Sequence, residues 1–492
     1  MMRLILGGPG AGKTTRLLDI MEEELARGTP PDRIAFVSFT RKAVNEAATR
    51  AMEKFKVARE DLPYFRTLHS LAYRSLGLNR QEILGKRHLS EIGDMLGLKV
   101  TGGIIPDELG ENMTLGDRML FMEGFARSVC KSREEIWQDK GENITWWQFK
   151  QFIDTYDHYK KDLSLIDFTD MLYKYIEECN PAPVEVAIID EAQDLNPIQW
   201  KVVFHAFQNV PRIYIAGDDD QAIYRWSGAD IEQFLSLPIT DKEVLPVSWR
   251  LPRSIFKMAT NLANQLSKRY AKDWKPFDKE GEIHYYSDIQ HVDLTEGRWL
   301  ILARNTHFLR RFKHLAEAQG TTYSSRQGNS VDKNDATAIM AYENLRRGHP
   351  VPGSDICLML DKMNQNFIHV KKDQEYLMGD LGLSDRGKWH ELDQAGEPIF
   401  PGIAMTRVEY YLSVLRRGGK LLAPPKIHID TIHSSKGGEE DNVLLFPDMT
   451  RRTYDGFCSN PDDEARVFYV GMTRTKQALH IVFPQTSRFF PL

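Results

Sequence analysis

Gly7-Gly8-Pro9-Gly10-Ala11-Gly12-Lys13-Thr14 carries the spacing G-x-x-x-x-G-K-[ST] of a phosphate-binding loop. Glycines let backbone N–H groups close around phosphate oxygens, and a helix starting there adds the positive end of its dipole. Lys13 reaches the β- and γ-phosphates in such a loop, and the Thr14 hydroxyl completes a magnesium shell. A second group of residues suits the same chemistry. Val184 to Ile189 is an apolar run that ends in Asp190-Glu191-Ala192-Gln193-Asp194. Carboxylates at the carboxyl end of a buried parallel strand stand where ligands bind in open α/β sheets. Asp190 suits Mg2+ coordination, and Glu191 suits activation of an attacking water. Together these residues predict binding and hydrolysis of a nucleoside triphosphate.

The elements that must position them are legible as patterns. Leu4-Ile5-Leu6 precedes the glycine loop, and Leu17, Leu18, Met21 and Leu25 follow at helical spacing until Gly28. Strand-like runs recur at Ile34 to Phe39, Arg212 to Ala216, Trp299 to Ala303, Ile427 to Thr431, Val443 to Phe446 and Ala478 to Phe483. Most are near-continuous apolar runs, as in parallel strands covered on both faces, and helical patterns lie between them. Strand signals fade between about Ser75 and Asp162. There Trp146, Phe149, Ile153 and Tyr156 fall at helical spacing and read as a buried face rather than as a base-stacking stripe. A second departure runs from Gly348 to Pro425 and closes on an amphipathic helix over Thr406 to Arg417.

Composition bounds the rest. The 492 residues, 42% hydrophobic and 27% charged, fit three or four ordinary globular domains of about 150 residues. No apolar run reaches the roughly 18 residues of a membrane span, and no secretory signal pattern opens the chain. Four cysteines without paired spacing fit a reduced, cytoplasmic protein. A net charge of −5 confines any nucleic-acid path to a local stripe. Basic pairs such as Arg41/Lys42 and Lys160/Lys161 read mostly as solvated surface.

These motifs, with those that follow them, resemble the UvrD/Rep-type superfamily 1 helicases over most of the chain. Asp190 to Asp194 matches that family's second motif, and Gly217 to Asp230 its third, Gly-Asp-Asp-Asp-Gln-Ala-Ile-Tyr-Arg-Trp-Ser-Gly-Ala-Asp. Phe36 to Ala43 resembles motif Ia, Thr67-Leu68-His69-Ser70 motif Ib, and Asp167 to Asp170 the short element before the second motif. Leu245 to Arg250 resembles motif IV, with Trp249 where tyrosine is usual. Ile301 to Asn305 looks like motif IVa, Thr431 to Glu439 motif V, with Gly438 where leucine is common, and Glu464 to Arg474 motif VI.

The resemblance implies an α/β fold with two RecA-like P-loop NTPase lobes built on parallel sheets, each with an inserted, mainly helical subdomain. Residues 1–74 and 163–250 are expected as the first lobe and 75–162 as its helical insert. Residues 251–347 and 426–492 are expected as the second lobe and 348–425 as a short accessory insert. The implied activity is ATP-dependent, 3′-to-5′ movement on single-stranded DNA with duplex unwinding, by ATP hydrolysis in the cleft between the two lobes, and ATP and Mg2+ are the implied cofactors. A protein-displacing translocase with weak unwinding and a nucleotide-gated DNA-binding switch remain open as alternatives.

Catalytic roles carry over to Lys13, Glu191, Gln221, Arg250 and Arg474. Nucleotide contacts carry over to Gly7, Gly8, Pro9, Gly10, Ala11, Gly12, Lys13, Thr14, Thr15, Trp249, Arg250 and Glu439, and metal contacts to Thr14 and Asp190. Phe39, Thr40, Arg41, Thr67, His69, Tyr224, Trp226 and His433 are the implied nucleic-acid contacts. Single-stranded DNA and single-strand/duplex junctions are the implied partners, with replication or repair proteins as further candidates. A monomer or weak oligomer, no membrane, and a compact phage or bacterial member are expected. The glutamine segment that reads adenine in this family has no counterpart in the six residues before Gly7, so base selectivity is expected to rest on Trp249. The chain reaches Leu492 soon after its last strand, and no nuclease domain or partner-binding tail is expected.

Overall fold

The computed structural model describes residues 1–103, 113–365 and 368–492; short stretches inside the two expected inserts, 104–112 and 366–367, lie outside the described residues. Two compact units divide the chain. One comprises Met1–Glu282 with Arg451–Arg474, the other Ile283–Thr450 with Thr475–Leu492.

The first unit is built on six strands: β1 Met2–Leu6, β2 Ile34–Ser38, β3 Phe65–Arg66, β4 Val186–Asp190, β5 Arg212–Gly217 and β6 Asp241–Val244. They form one sheet in the order β3-β2-β4-β5-β1-β6, parallel throughout. Every residue of β2 and β4 is buried, because successive side chains enter opposite cores. Leu4, Leu6, Ala35, Val37, Ala187 and Ile189 pack on one face with Trp200 and Phe207. Ile5, Ile34, Phe36, Val186 and Ile188 pack on the other with Leu17, Met21 and Val44. This double burial explains why the strands read as continuous apolar runs.

Parallel order also brings the carboxyl ends of all six strands to one edge. Gly7, Phe39, Thr67, Asp190, Asp218 and the Leu245–Arg250 segment all leave the sheet there. Helices Lys86–Leu96, Leu115–Ser128, Arg133–Lys140 and Trp146–Asp162 form the insert, with Phe149, Ile153 and Tyr156 buried in its core.

Segments 251–282 and 451–474 group with this first sheet, whereas the expected division fell at residue 250 and placed 451–474 in the second lobe. The physical reason is side-chain anchoring of helix Pro461–Met472. Its Arg466 donates from Nε to the Asp219 carbonyl at 3.1 Å and from Nη2 to the Lys268 carbonyl at 2.7 Å, while Asp462 accepts from Ser267 N at 2.9 Å.

In the second unit, β7 Glu282–Tyr286, β8 Trp299–Ala303, β9 Tyr323–Ser325 and β10 Gly328–Asn329 join later strands in a seven-stranded sheet. A two-stranded hairpin-like pair, β11 Val351–Pro352 and β12 Glu375–Tyr376, stands apart from it. With β13 Ile427–Thr431, β14 Glu440–Phe446 and β15 Thr475–Val482 the sheet order is β10-β9-β13-β8-β14-β15-β7, and its centre, β9 through β15, is parallel. Helices Lys333–Arg346, Gly353–Lys362 and Met405–Arg416 enclose a separate core around Tyr342, Met359 and Tyr411. Among the described residues no helix is long and apolar enough to cross a membrane.

Candidate nucleotide site and nucleic-acid face

The glycine loop leaves β1 and turns at Gly10 (φ 71°) into Gly12 (φ 82°), which caps helix Lys13–Ala26 with no side-chain partner. The first-turn N–H groups are thus left for an anion. Lys13 Nζ donates to the Gly7 carbonyl at 3.0 Å, folding the ammonium over the loop. A Cβ on Gly8 would stand 2.4 Å from the Trp274 ring, and one on Gly10 2.4 Å from Arg250 Cβ. Glycine is therefore required at both positions by close approach, and at Gly10 by φ as well. Motif IV is stitched to the loop: Ser248 Oγ donates to the Pro9 carbonyl at 2.7 Å and Trp249 N to the Gly10 carbonyl at 2.9 Å. Trp249 leaves its indole 69% exposed, within 4.0 Å of a Cβ built on Gly12. Thr15, one position beyond Thr14, is exposed on the helix.

Thr14 Oγ1 donates to Asp190 Oδ2 at 3.4 Å. That pair of oxygens fits a magnesium ion, which takes one or two protein ligands and fills its shell with phosphates and water. Among the described residues no cluster of three or more His, Cys, Asp or Glu side chains forms a self-sufficient metal cage. Burial, with Glu191 adjacent, pushes the Asp190 carboxyl up to about 7, against the pull of Lys13 and the Glu191 N–H. Glu191 itself has φ 53°, a left-handed conformation that costs a non-glycine residue about 1–3 kcal/mol and clusters at working sites.

From Glu191 a hydrogen-bonded chain crosses the edge of the sheet. Gln193 Nε2 donates to Glu191 Oε2 at 2.5 Å, and its Oε1 accepts from Asp218 N at 3.0 Å. Asp218 Oδ2 accepts from Gln221 Nε2 at 2.6 Å, and Gln221 Oε1 accepts from Arg474 Nη2 at 2.8 Å. Arg250 Nη1 donates to the neighbouring Thr473 carbonyl at 3.3 Å. Lys13, Glu191, Gln221, Arg250 and Arg474 therefore all lie in the first unit, around one sheet edge.

Aromatic residues extend from the same edge. Phe39 stacks on Tyr224 with centroids 5.2 Å apart, Tyr224 meets Trp226 edge-on at 6.3 Å, and His69 meets Phe168 edge-on at 5.9 Å. Burial, helped by Arg41, pulls the His69 imidazole down to about 4, so the ring is neutral near pH 7. Thr40 and Thr67 cap their helices, accepting from Ala43 N at 3.1 Å and Ser70 N at 3.2 Å. Arg41 is exposed on the first of those helices. The remaining expected residues stand in the second unit: His433 is buried, and Glu439 is exposed and ion-paired with Lys476 at 2.9 Å.

Sequence reasoning missed the segment Ser267–Lys275. Lys272 Nζ lies 2.9, 2.6 and 2.8 Å from carboxylate oxygens of Asp218, Asp219 and Asp220, and Arg269 pairs with Asp220 at 2.7 Å. Tyr270 N donates to Asp219 Oδ2 at 2.7 Å, and Trp274 roofs Gly8. The run Lys268-Arg269-Tyr270-Ala271-Lys272-Asp273-Trp274-Lys275, basic and aromatic, was the available signal.

A glycine loop, a carboxylate turn and a buried glutamine at the carboxyl edge of one parallel sheet define a P-loop nucleotide-binding fold. Residues 2–240 match the UvrD/REP helicase N-terminal domain, and residues 412–486 match the UvrD-like helicase C-terminal domain. The chain belongs to the UvrD/Rep family of superfamily 1 helicases. It is 25% identical over 314 residues to the ATP-dependent DNA helicase PcrA of Staphylococcus aureus, a match covering 60% of this chain and 42% of the relative. PcrA of Bacillus subtilis is 25% identical over 306 residues, covering 58% and 40% respectively. DNA helicase II of Haemophilus influenzae is 27% identical over 325 residues, covering 59% and 42%. The chain thus spans less than half the length of the curated relatives it matches.

Proposed function

We propose that this chain is an ATP-dependent DNA helicase that moves 3′-to-5′ along single-stranded DNA and opens duplex ahead of it. The observation that carries the reading is the unbroken chain Glu191–Gln193–Asp218–Gln221–Arg474. It links the proposed base to the proposed γ-phosphate sensor and to the arginine of motif VI, with no step above 3.0 Å.

In this reading the loop from Gly7 to Thr15 holds the triphosphate and Trp249 stacks on the base, with Glu439 as a further nucleotide contact. Thr14 and Asp190 would hold Mg2+, which would supply positive charge to the phosphates. Glu191 accepts the proton of the attacking water, and Lys13, Arg250 and Arg474 stabilise charge on the γ-phosphoryl oxygens. Gln221 reports γ-phosphate occupancy to the aromatic face. There Phe39, Tyr224 and Trp226 stack on bases, at about 1–3 kcal/mol each, without regard to sequence. Thr40, Arg41, Thr67, His69 and His433 complete the strand's path. Residues 1–74 with 163–282 and 451–474 act as one motor lobe and 283–347 with 426–450 and 475–492 as the other, with 75–162 and 348–425 as their inserts. The protein works on single-strand/duplex junctions as a monomer or weak oligomer in the cytoplasm, alongside replication or repair proteins.

The test is steady-state ATP turnover with and without single-stranded DNA, in the parent and in Glu191→Gln. Stimulation by DNA, and loss of about 10²–10⁴-fold in the variant, are expected for a general base. Parent-level turnover by Glu191→Gln contradicts the assignment.

A further inference from the structure

Lys272 has no exposed side-chain surface, and burying an ammonium is costly unless it is paired. Here it is over-paired. Three consecutive carboxylates surround it, and a second cation, Arg269, shares one of them. Burial alone would lower the Lys272 pKa, but the three aspartates outweigh it and keep the group charged. Burial alone would likewise raise Asp218, yet Lys272 and Lys13 hold it below the usual carboxylate range.

The two oxygens of Asp218 are divided between tasks. Oδ1 faces Lys272 at 2.9 Å, and Oδ2 accepts from Gln221 Nε2 at 2.6 Å. The other end of the Gln221 amide accepts from Arg474. A flipped amide would set its carbonyl against a carboxylate and its NH2 against a guanidinium, losing both bonds. The ionised Asp218 therefore decides which end of Gln221 meets Arg474, and a charged acceptor makes a bond roughly twice as strong as a neutral one.

From this geometry we infer that Lys272 is a positioning residue for ATP turnover: by fixing Asp218, it orients the Gln221 amide toward Arg474. The inference rests on the functional reading above. The ion pairs of Lys272 run to Asp218, Asp219 and Asp220, so its influence on chemistry runs through Asp218 and Gln221. Trp274, two residues on, roofs Gly8, so one short segment braces the loop and the sensor together.

The experiment compares Lys272→Met, Gln221→Ala and their double variant. It reads kcat and KM for ATP at saturating single-stranded DNA, and affinity for a fluorescent ADP, which lacks the γ-phosphate. Lys272→Met is expected to lower kcat about 10–100-fold, the scale of a roughly 1 Å misplacement, with ADP affinity within about twofold of the parent. In the Gln221→Ala background it should cost no more than about a further twofold, since both changes break one path. Because Lys272→Met removes the cation shared by three carboxylates and leaves only Asp220 paired with Arg269, the pair Lys272→Met/Asp218→Asn, which removes one charge of each sign, is measured beside it. That pair should fold and still show the reduced kcat. A folded pair with parent turnover overturns the assignment. So do equal losses from Lys272→Met in both backgrounds, a parallel collapse of ADP affinity, or a pair that does not fold. A parent chain without DNA-stimulated turnover refutes instead the functional reading on which the assignment stands.

Discussion

Arg474 donates from Nη2 to the side-chain carbonyl of Gln221 at 2.8 Å, although 253 residues separate them in the chain. The arginine is buried, and its Nε donates to the Val470 carbonyl at 3.0 Å, in the last turn of helix Pro461–Met472 just before it. A planar guanidinium fixed at two edges is pre-organised for charge that develops on a phosphoryl group. Arg474→Lys keeps the charge but loses the fork. It should lower ATP turnover by about 10³-fold or more, the range of arginine fingers, while leaving ADP affinity near that of the parent. Comparing kcat with ADP titration checks this.

Gly10 and Gly28 separate backbone strain from crowding. Both have φ in the left-handed region, 71° and 93°, but only a Cβ at Gly10 meets other residues, Arg250 and Ser248, within 4 Å. Alanine at either site should cost about 1 kcal/mol of stability or somewhat more from conformation. Only Gly10→Ala should also weaken ATP binding, by displacing Arg250 and the loop. Urea melts combined with nucleotide titration distinguish the two.

Two tryptophans beside the loop make opposite predictions. Trp249 is 69% exposed and Trp274 8% exposed. Trp249→Ala should leave the melting temperature nearly unchanged and raise KM for ATP about tenfold, as loss of a stacked base implies. Trp274→Ala should remove a buried ring and cost about 3–5 kcal/mol. Thermal melts and ATP kinetics on both variants test the contrast.

His69 gives a pH signature. Its folded pKa is depressed to about 4, from an ordinary value of 6.5, by burial and by Arg41. Above pH 6.5 the ring is neutral in both folded and unfolded chains, so its contribution is complete. As pH falls from about 6.5 toward 4, the unfolded chain takes up a proton that the folded one refuses, and stability drops. His69→Gln should flatten that part of the stability curve, measured by urea unfolding between pH 7 and 5. An unchanged slope contradicts the burial argument.

The central strands of the sheets were readable because burial on both faces leaves an apolar run, as in Ile34–Ser38 and Val186–Asp190. The edge strands were not: Asp241–Val244 and Glu282–Tyr286 face solvent in part and carry charged or polar residues. The glycine loop was readable because its chemistry is local, eight residues with one geometry. Lys272 was opaque because a lone lysine in a basic run looks like solvated surface, and its aspartates lie about 50 residues earlier. The capping roles of Thr40 and Thr67 were hidden behind their motif membership, although each begins a helix that a polar cap would announce. Phe149, Ile153 and Tyr156 packed as a core face, as helical spacing of aromatics ordinarily does.

Direction of movement separates 3′-to-5′ from 5′-to-3′ translocation on the same DNA. The measurement is ATP-dependent strand displacement from matched duplexes carrying either a 3′ or a 5′ single-stranded tail. Displacement confined to the 3′-tailed duplex, and abolished by Glu191→Gln, is the predicted result. Displacement confined to the 5′-tailed duplex, or undiminished in Glu191→Gln, contradicts it.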